Sequence, residues 1–245
     1  EKLKNNLFLH DKIEFDIAVT AYNFEIKKKL NENLPKTINF KTKKDLELLY
    51  KNIFIKNLDK NSNASLDKIG KKIEHLIFLQ KNFLIHNSKE KNKKNIKLII
   101  KQCKSYGTIP FAQAARHGFI SKGLIDSLVN KKVLSKKRSI ELQKSVNTIT
   151  SSFLEDINLV IKKKLTKLLF FKKYGHLRPG AYDITSKNYS QMRNTLFDRS
   201  FLTKRHLFSL KDNESIKLKT LLDKDKIGLS SKELINYILK SIELR

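Results

Sequence analysis

"YGTIPFAQAARHGFISKGLIDSLV" (106–129) is built almost wholly from small and apolar residues, and it predicts a helix over about 109–131. Ala112, Ala115, Gly118 and Gly123 leave room for a second element to come close. Arg116 is the exception on this helix, with His117 beside it. A guanidinium on an apolar helix must find a partner or point at a cleft, because an unpaired buried charge is costly.

Helical spacing continues on both sides. Residues 42–57 carry Leu46, Leu49 and Ile53 at near-helical intervals. "NSNAS" (61–65) reads as a loop, with Ser65 as an N-cap for a helix that aligns Leu66, Ile69, Ile73, Leu76, Ile77 and Phe83. Residues 92–105 predict another helix that stops near Gly107. From Ser135 to Lys173 the stripe Leu142, Val146, Ile149, Phe153, Ile157 and Val160 fits one long helix or two in line. Ser230 and Glu233 have capping-box spacing, so a last helix starts there and is expected to run to Arg245. The one departure is "KIEFDIAVT" (12–20), whose alternation predicts a half-buried strand. The fold class expected is therefore mainly α with one short strand near the N-terminus. Residues 1–24 read as a strand segment continuing a preceding domain, and 25–245 as a helical middle domain. A lone strand, and a last helix without a C-terminal cap, predict a piece of a larger protein.

Composition narrows the function. Three Pro and seven Gly in 245 residues argue against a turn-rich β architecture. No apolar run is long enough for a membrane span. One cysteine, Cys103, excludes an internal disulfide, predicts a reducing cytoplasmic setting, and reads as a small buried apolar residue. The net charge of +28 invites a nucleic-acid reading. Against it, only seven of the 52 basic residues are Arg, and the lysines are scattered as solvated faces. Nucleic acid is thus not the expected partner, and each arginine becomes informative. Phosphate loops, paired metal-binding histidines and a nucleophile elbow are all missing from the sequence.

"YGHLRPGAYDITS" (174–186) interrupts the helical rhythm. Pro179-Gly180 signals a turn that folds Tyr182 and Asp183 back toward His176 and Arg178. The planar fork of Arg178 suits a carboxylate or phosphate, and His176 can exchange a proton near neutral pH. The plainer reading is a structural loop in which Arg178 pairs with Asp183. The candidate substrate-binding set is Arg116, His117, His176, Arg178, Tyr182 and Asp183, converging on one cleft, with no metal ligands.

The longer stretch "YGHLRPGAYDITSKNY" (174–189) resembles the "YGHLRPGTYDI-S-RY" signature of a bacterial family of phosphoenolpyruvate-synthase-like proteins. These are related to pyruvate phosphate dikinases and, more distantly, to rifampicin phosphotransferases. "LHDKIEFDIAVTAYNF" (9–24), "GTIPFAQAARHGFISKGLIDSLV" (107–129) and the final "SIELR" resemble further segments of that family in the same order. Ala181 stands where the family has Thr, and the family's Arg near Lys187 is absent, which weakens any second anion clamp there. The resemblance implies a middle domain lying between an ATP-grasp domain and a swivelling domain with a phosphorylated histidine. Neither is present in this chain, and His176 does not match the carrier motif. It further implies ATP and Mg2+ for the parent enzyme, none in this chain, and a small-molecule acceptor such as pyruvate. A helical scaffold that only positions the mobile domains is the alternative, and a basic nucleic-acid-binding protein the weaker one.

Overall fold

The computed structural model describes residues 21–86, 93–179, 185–192, 196–198 and 207–244. Within them the protein is mainly helical and contains no strand. The expected strand at 12–20 lies outside the described residues. The helices are α1 (Ile26–Asn33), α2 (Phe40–Leu58), α3 (Leu66–His86), α4 (Lys93–Gln102), α5 (Ile109–Asn130), α6 (Lys136–Lys144), α7 (Ile149–Ile161), α8 (Lys167–Tyr174), α9 (Asp212–Lys224) and α10 (Ser231–Leu244). Residues 25–245, read from the sequence as one domain, divide into two compact units, one of 1–143 with 208–245 and one of 144–207.

The first unit is organised around α5. Ala114, His117, Ser121, Leu124 and Leu128 recur at helical spacing on its buried face, and Gly118, Ile120 and Ile125 widen that face. α10 lies against it and buries Leu234, Ile235, Tyr237 and Ile238. α3 packs on both, and the Lys240–Asp67 ion pair ties it to α10. The small residues act as the sequence predicted only in part. Gly118 is buried and Gly123 faces the Asn23 side chain, but Ala112 is exposed.

Arg138 closes the lower part of this unit. Its Nε and Nη2 donate to the two carboxylate oxygens of Glu214, each at 2.9 Å. Its Nη1 donates to Glu141 at 2.8 Å, and its guanidinium lies 4.3 Å from the Phe208 ring centre. Glu214 also accepts from the Lys211 N–H and so caps α9. Bidentate pairing gives this link between α6 and α9 a defined geometry.

The second unit is smaller and aromatic. Ile157, Val160, Phe170 and Tyr174 are buried together, with Phe153, Phe171, Leu177 and Phe197 around them. Thr148 and Ser151 cap α7 reciprocally, and Thr166 caps α8 by accepting from the Leu169 N–H.

Several helix limits agree with the sequence. Ser65 accepts from the Lys68 N–H before α3, and Ser230 and Glu233 form the expected capping box before α10. The 135–173 stretch differs, because it is three helices and not one or two. Ile149, placed on the expected stripe, is 73% exposed. The helix expected to end near Gly107 instead continues: α4 widens into a π-helical turn over Cys103–Thr108 and runs into α5, with the Ile109 N–H bonded to the Lys104 carbonyl. Pro110 has no N–H to offer the preceding turn, and the wider register accommodates that loss. Cys103, expected to be buried, is exposed on this turn.

The breaks that sequence reading missed share one chemistry. α5, α7 and α9 end with a lysine in the left-handed region: Lys132 (φ 57°), Lys163 (φ 57°) and Lys226 (φ 51°). The next N–H bonds back into the helix, Val133 to the Leu128 carbonyl at 2.9 Å and Ile227 to the Leu222 carbonyl at 2.9 Å. This is the Schellman arrangement, in which glycine is usual at the left-handed position. Val133 and Ile227 then bury their side chains in the core. A β-carbon in the left-handed region costs about 1–2 kcal/mol, partly offset by the extra backbone entropy of glycine. Lys132→Gly is accordingly expected to stabilise the protein by about 0.5–1 kcal/mol and Lys132→Val to destabilise it. Chemical denaturation followed by circular dichroism checks this, and a glycine variant no more stable than the parent would contradict it.

Candidate functional site

The motif loop that follows α8 rises from the aromatic base of the second unit. Tyr174, the first motif residue, is buried, with its ring centre 5.1 Å from Phe153 and 5.0 Å from Phe170. Its hydroxyl donates to Asp156 Oδ2 at 2.8 Å, and Lys173 Nζ reaches the same oxygen at 2.9 Å. The burial of Asp156 raises its pKa, but these two donors outweigh that and hold the carboxyl below its ordinary value. The loop's point of departure is thereby fixed.

Gly175 comes next, and no other residue fits there. A β-carbon would sit 2.1 Å from Ser190 Oγ and 2.4 Å from the Phe171 carbonyl oxygen. The closeness arises because the returning arm lies directly on this position. The Ser190 N–H donates to the Gly175 carbonyl at 3.1 Å and the Tyr189 N–H to the Leu177 carbonyl at 2.9 Å. The Tyr189 ring stands 4.7 Å from Phe153. Asn188 and Gln191 exchange side chain-to-backbone bonds of 2.9 and 3.0 Å and set the short 3₁₀ turn Tyr189–Met192.

Arg178 Nε donates to the Ser186 carbonyl at 2.9 Å, a third tie between the two arms. His176, Arg178, Pro179 and Lys187 are exposed on the closed loop. Tyr182 and Asp183 lie outside the described residues.

Arg116 and His117 belong to the first unit, whereas His176 and Arg178 belong to the second. Arg116 is exposed on α5. His117 is 1% exposed and sits between two elements. Its Nε2 lies 2.7 Å from the Ala64 carbonyl and its Nδ1 2.8 Å from the Tyr237 hydroxyl. A carbonyl only accepts, so Nε2 carries the proton and Nδ1 accepts from Tyr237. Both ring nitrogens are therefore committed to the fold, and binding a substrate would require breaking these bonds. Among the described residues no group of three or more His, Cys, Asp or Glu side chains could hold a metal ion.

Sequence reasoning placed Phe153 on an apolar stripe but gave neither it nor Asp156 or Tyr237 a part in the site. The first two lie on α7, before the motif, and the third lies 120 positions after His117. No local pattern joins them to the residues they support. No protein-family model, curated protein or solved structure matches the chain.

Two outcomes follow from this geometry. Gly175→Ala is expected to cost about 2–3 kcal/mol and to speed hydrogen exchange at the Tyr189 and Ser190 amides; unchanged exchange would show that the arms are not held as described. Burial is the main cause of a His117 pKa below its ordinary 6.5; the Ala64 bond acts in the opposite sense, and Arg116 adds to the lowering. The unfolded imidazole takes up a proton that the folded one resists. His117 therefore carries no penalty above about pH 6.5, and its penalty grows as the pH falls below that value toward the lower folded pKa. His117→Gln should weaken this acid dependence of the denaturation midpoint, and identical pH profiles for variant and parent would exclude it.

Proposed function

We propose that this chain is the helical middle region of a phosphoenolpyruvate-synthase-like phosphotransferase, and that the 174–190 loop contributes to the site of the phosphate acceptor. The observation that carries this reading is the closed loop itself, with His176 and Arg178 exposed on arms joined by main-chain hydrogen bonds. In this reading ATP and Mg2+ act on the ATP-grasp domain and the carrier histidine lies on a swivelling domain. Both domains are partners of this chain, in a cytoplasmic setting. Among the described residues no helix is long and apolar enough to cross a membrane.

The role of Arg178 follows from its geometry. With Nε held by Ser186, an anionic acceptor would be met by the two terminal nitrogens in a bidentate pair. Such a fork binds and orients a carboxylate or phosphoryl group, and lysine cannot reproduce it. His176, beside it on the loop, would hold or release a proton on the acceptor oxygen.

The test uses the protein that carries all three domains. Arg178→Lys is expected to cut phosphate transfer to the acceptor about tenfold or more, equivalent to roughly 1.4 kcal/mol, while carrier phosphorylation by ATP continues unchanged. Loss of both half-reactions together, with a lower melting temperature, would assign the loop to scaffolding. Incubated alone with labelled ATP and Mg2+, the 245-residue chain should remain unlabelled, and a stable phosphohistidine on it would overturn the reading.

A further inference from the structure

Asp156 lies on α7, outside the 174–190 loop, yet the first residue of the loop is bonded to it. The Tyr174 ring is buried against Phe153 and Phe170. Apolar packing is non-directional, so it buries the ring without fixing where its hydroxyl points. The 2.8 Å hydrogen bond from that hydroxyl to Asp156 Oδ2 is directional and supplies the fixed point. Lys173 Nζ reaches the same oxygen at 2.9 Å, but its side chain is 61% exposed against 19% for Asp156. An ion pair with so exposed a member contributes little, whereas the hydroxyl of a buried tyrosine is costly to leave unpaired. Of the two bonds to Asp156, the loop depends on the one from Tyr174.

Main-chain bonds pass this fixed point on. The Tyr174 carbonyl accepts from the Leu177 N–H at 2.9 Å, and the Leu177 carbonyl accepts from the Tyr189 N–H at 2.9 Å. Tyr189 sets its ring on Phe153, so both arms stand on α7. Arg178 follows Leu177 directly, and its Nε donates to the Ser186 carbonyl on the returning arm. A shift of Tyr174 would therefore move the arm from which the guanidinium projects.

We propose that Asp156 is a positioning residue for the acceptor site, acting through the Tyr174 hydroxyl on the arm that carries Arg178. This inference rests on the acceptor-binding reading of the loop. Asp156 itself meets no acceptor; it decides where the terminal nitrogens of Arg178 stand when an anion arrives.

The test uses the protein that carries all three domains, phosphorylated on its carrier histidine by ATP, with pyruvate as the acceptor probe. Asp156→Ala and Tyr174→Phe are each expected to raise the pyruvate KM about tenfold, the scale of a small misplacement in a binding constellation, while carrier phosphorylation continues unchanged. The double variant should be no worse than either single one, because all three break the same bond. Asp156→Asn, the conservative variant, keeps an oxygen for the tyrosine hydroxyl and should bring the KM back to within about twofold of the parent. Tyr174→Phe keeps the buried ring, so the test stands even where Asp156→Ala fails to fold. A lower melting temperature with an unaltered KM would reduce Asp156 to a structural role and overturn the proposal. Additive effects of the two changes, or loss of both half-reactions together, would overturn it as well. An impaired Arg178→Lys beside a normal Tyr174→Phe would overturn it and leave the acceptor-site reading intact. A normal Arg178→Lys, or a parent protein that passes no phosphate to pyruvate, would remove that reading and this inference with it.

Discussion

The first unit depends on a column of rings that no two neighbouring residues could form. Tyr22 stacks on Phe54 at 5.1 Å, Phe54 meets the edge of Tyr237 at 5.5 Å, and Tyr237 donates to His117. At the far end the Tyr22 hydroxyl donates to Asp225 at 2.5 Å, at the close of α9. One chain of contacts thus joins the segment before α1 to α2, α10, α5 and the end of α9. Each polar tip in the column finds a partner, so the rings can be buried at little polar cost. Burial and the Asp225 carboxylate raise the Tyr22 pKa, and burial raises that of Tyr237, so both hydroxyls keep the proton they donate. The neutral state of His117 is part of the same construction, because its acceptor nitrogen completes the chain.

The second unit uses its aromatics for a different purpose. There the rings carry a loop, with Tyr174 and Tyr189 both resting on Phe153 so that the two arms meet on one platform. Three hydrogen bonds then tie the arms, at Gly175, Leu177 and Arg178. The polar residues that give the motif its character are left outward while the rings hold its base. Of the two exposed residues on that base, Arg178 is itself held, by its Nε bond to the Ser186 carbonyl.

The scarcity of glycine shapes both units. With seven in the chain, helix ends that would commonly use glycine use lysine instead, at Lys132, Lys163 and Lys226. The strain is tolerated because the residue three places beyond the helix end bonds back into it, and in two of the three cases an apolar side chain there enters the core. For the same reason the 135–173 stretch read as one helix or two in line and not as three: its stops carry neither Gly nor Pro. Leu142 enters the core of the first unit, whereas Ile157 and Val160 enter that of the second, so the single apolar stripe serves two separate cores.

By itself the sequence determined the helical class, the starts of α3 and α10 and the special character of 174–189. These are local matters, set by apolar spacing within a few turns and by side chains that bond to backbone three residues away. Tertiary structure decided the rest. It assigned His117 to the fold, paired Arg138 with Glu214, made Gly175 indispensable and left Cys103 exposed. The physical reason is common to all four. Whether a polar group is bonded, buried or open to solvent depends on atoms far away in sequence, and those meet only when the helices pack.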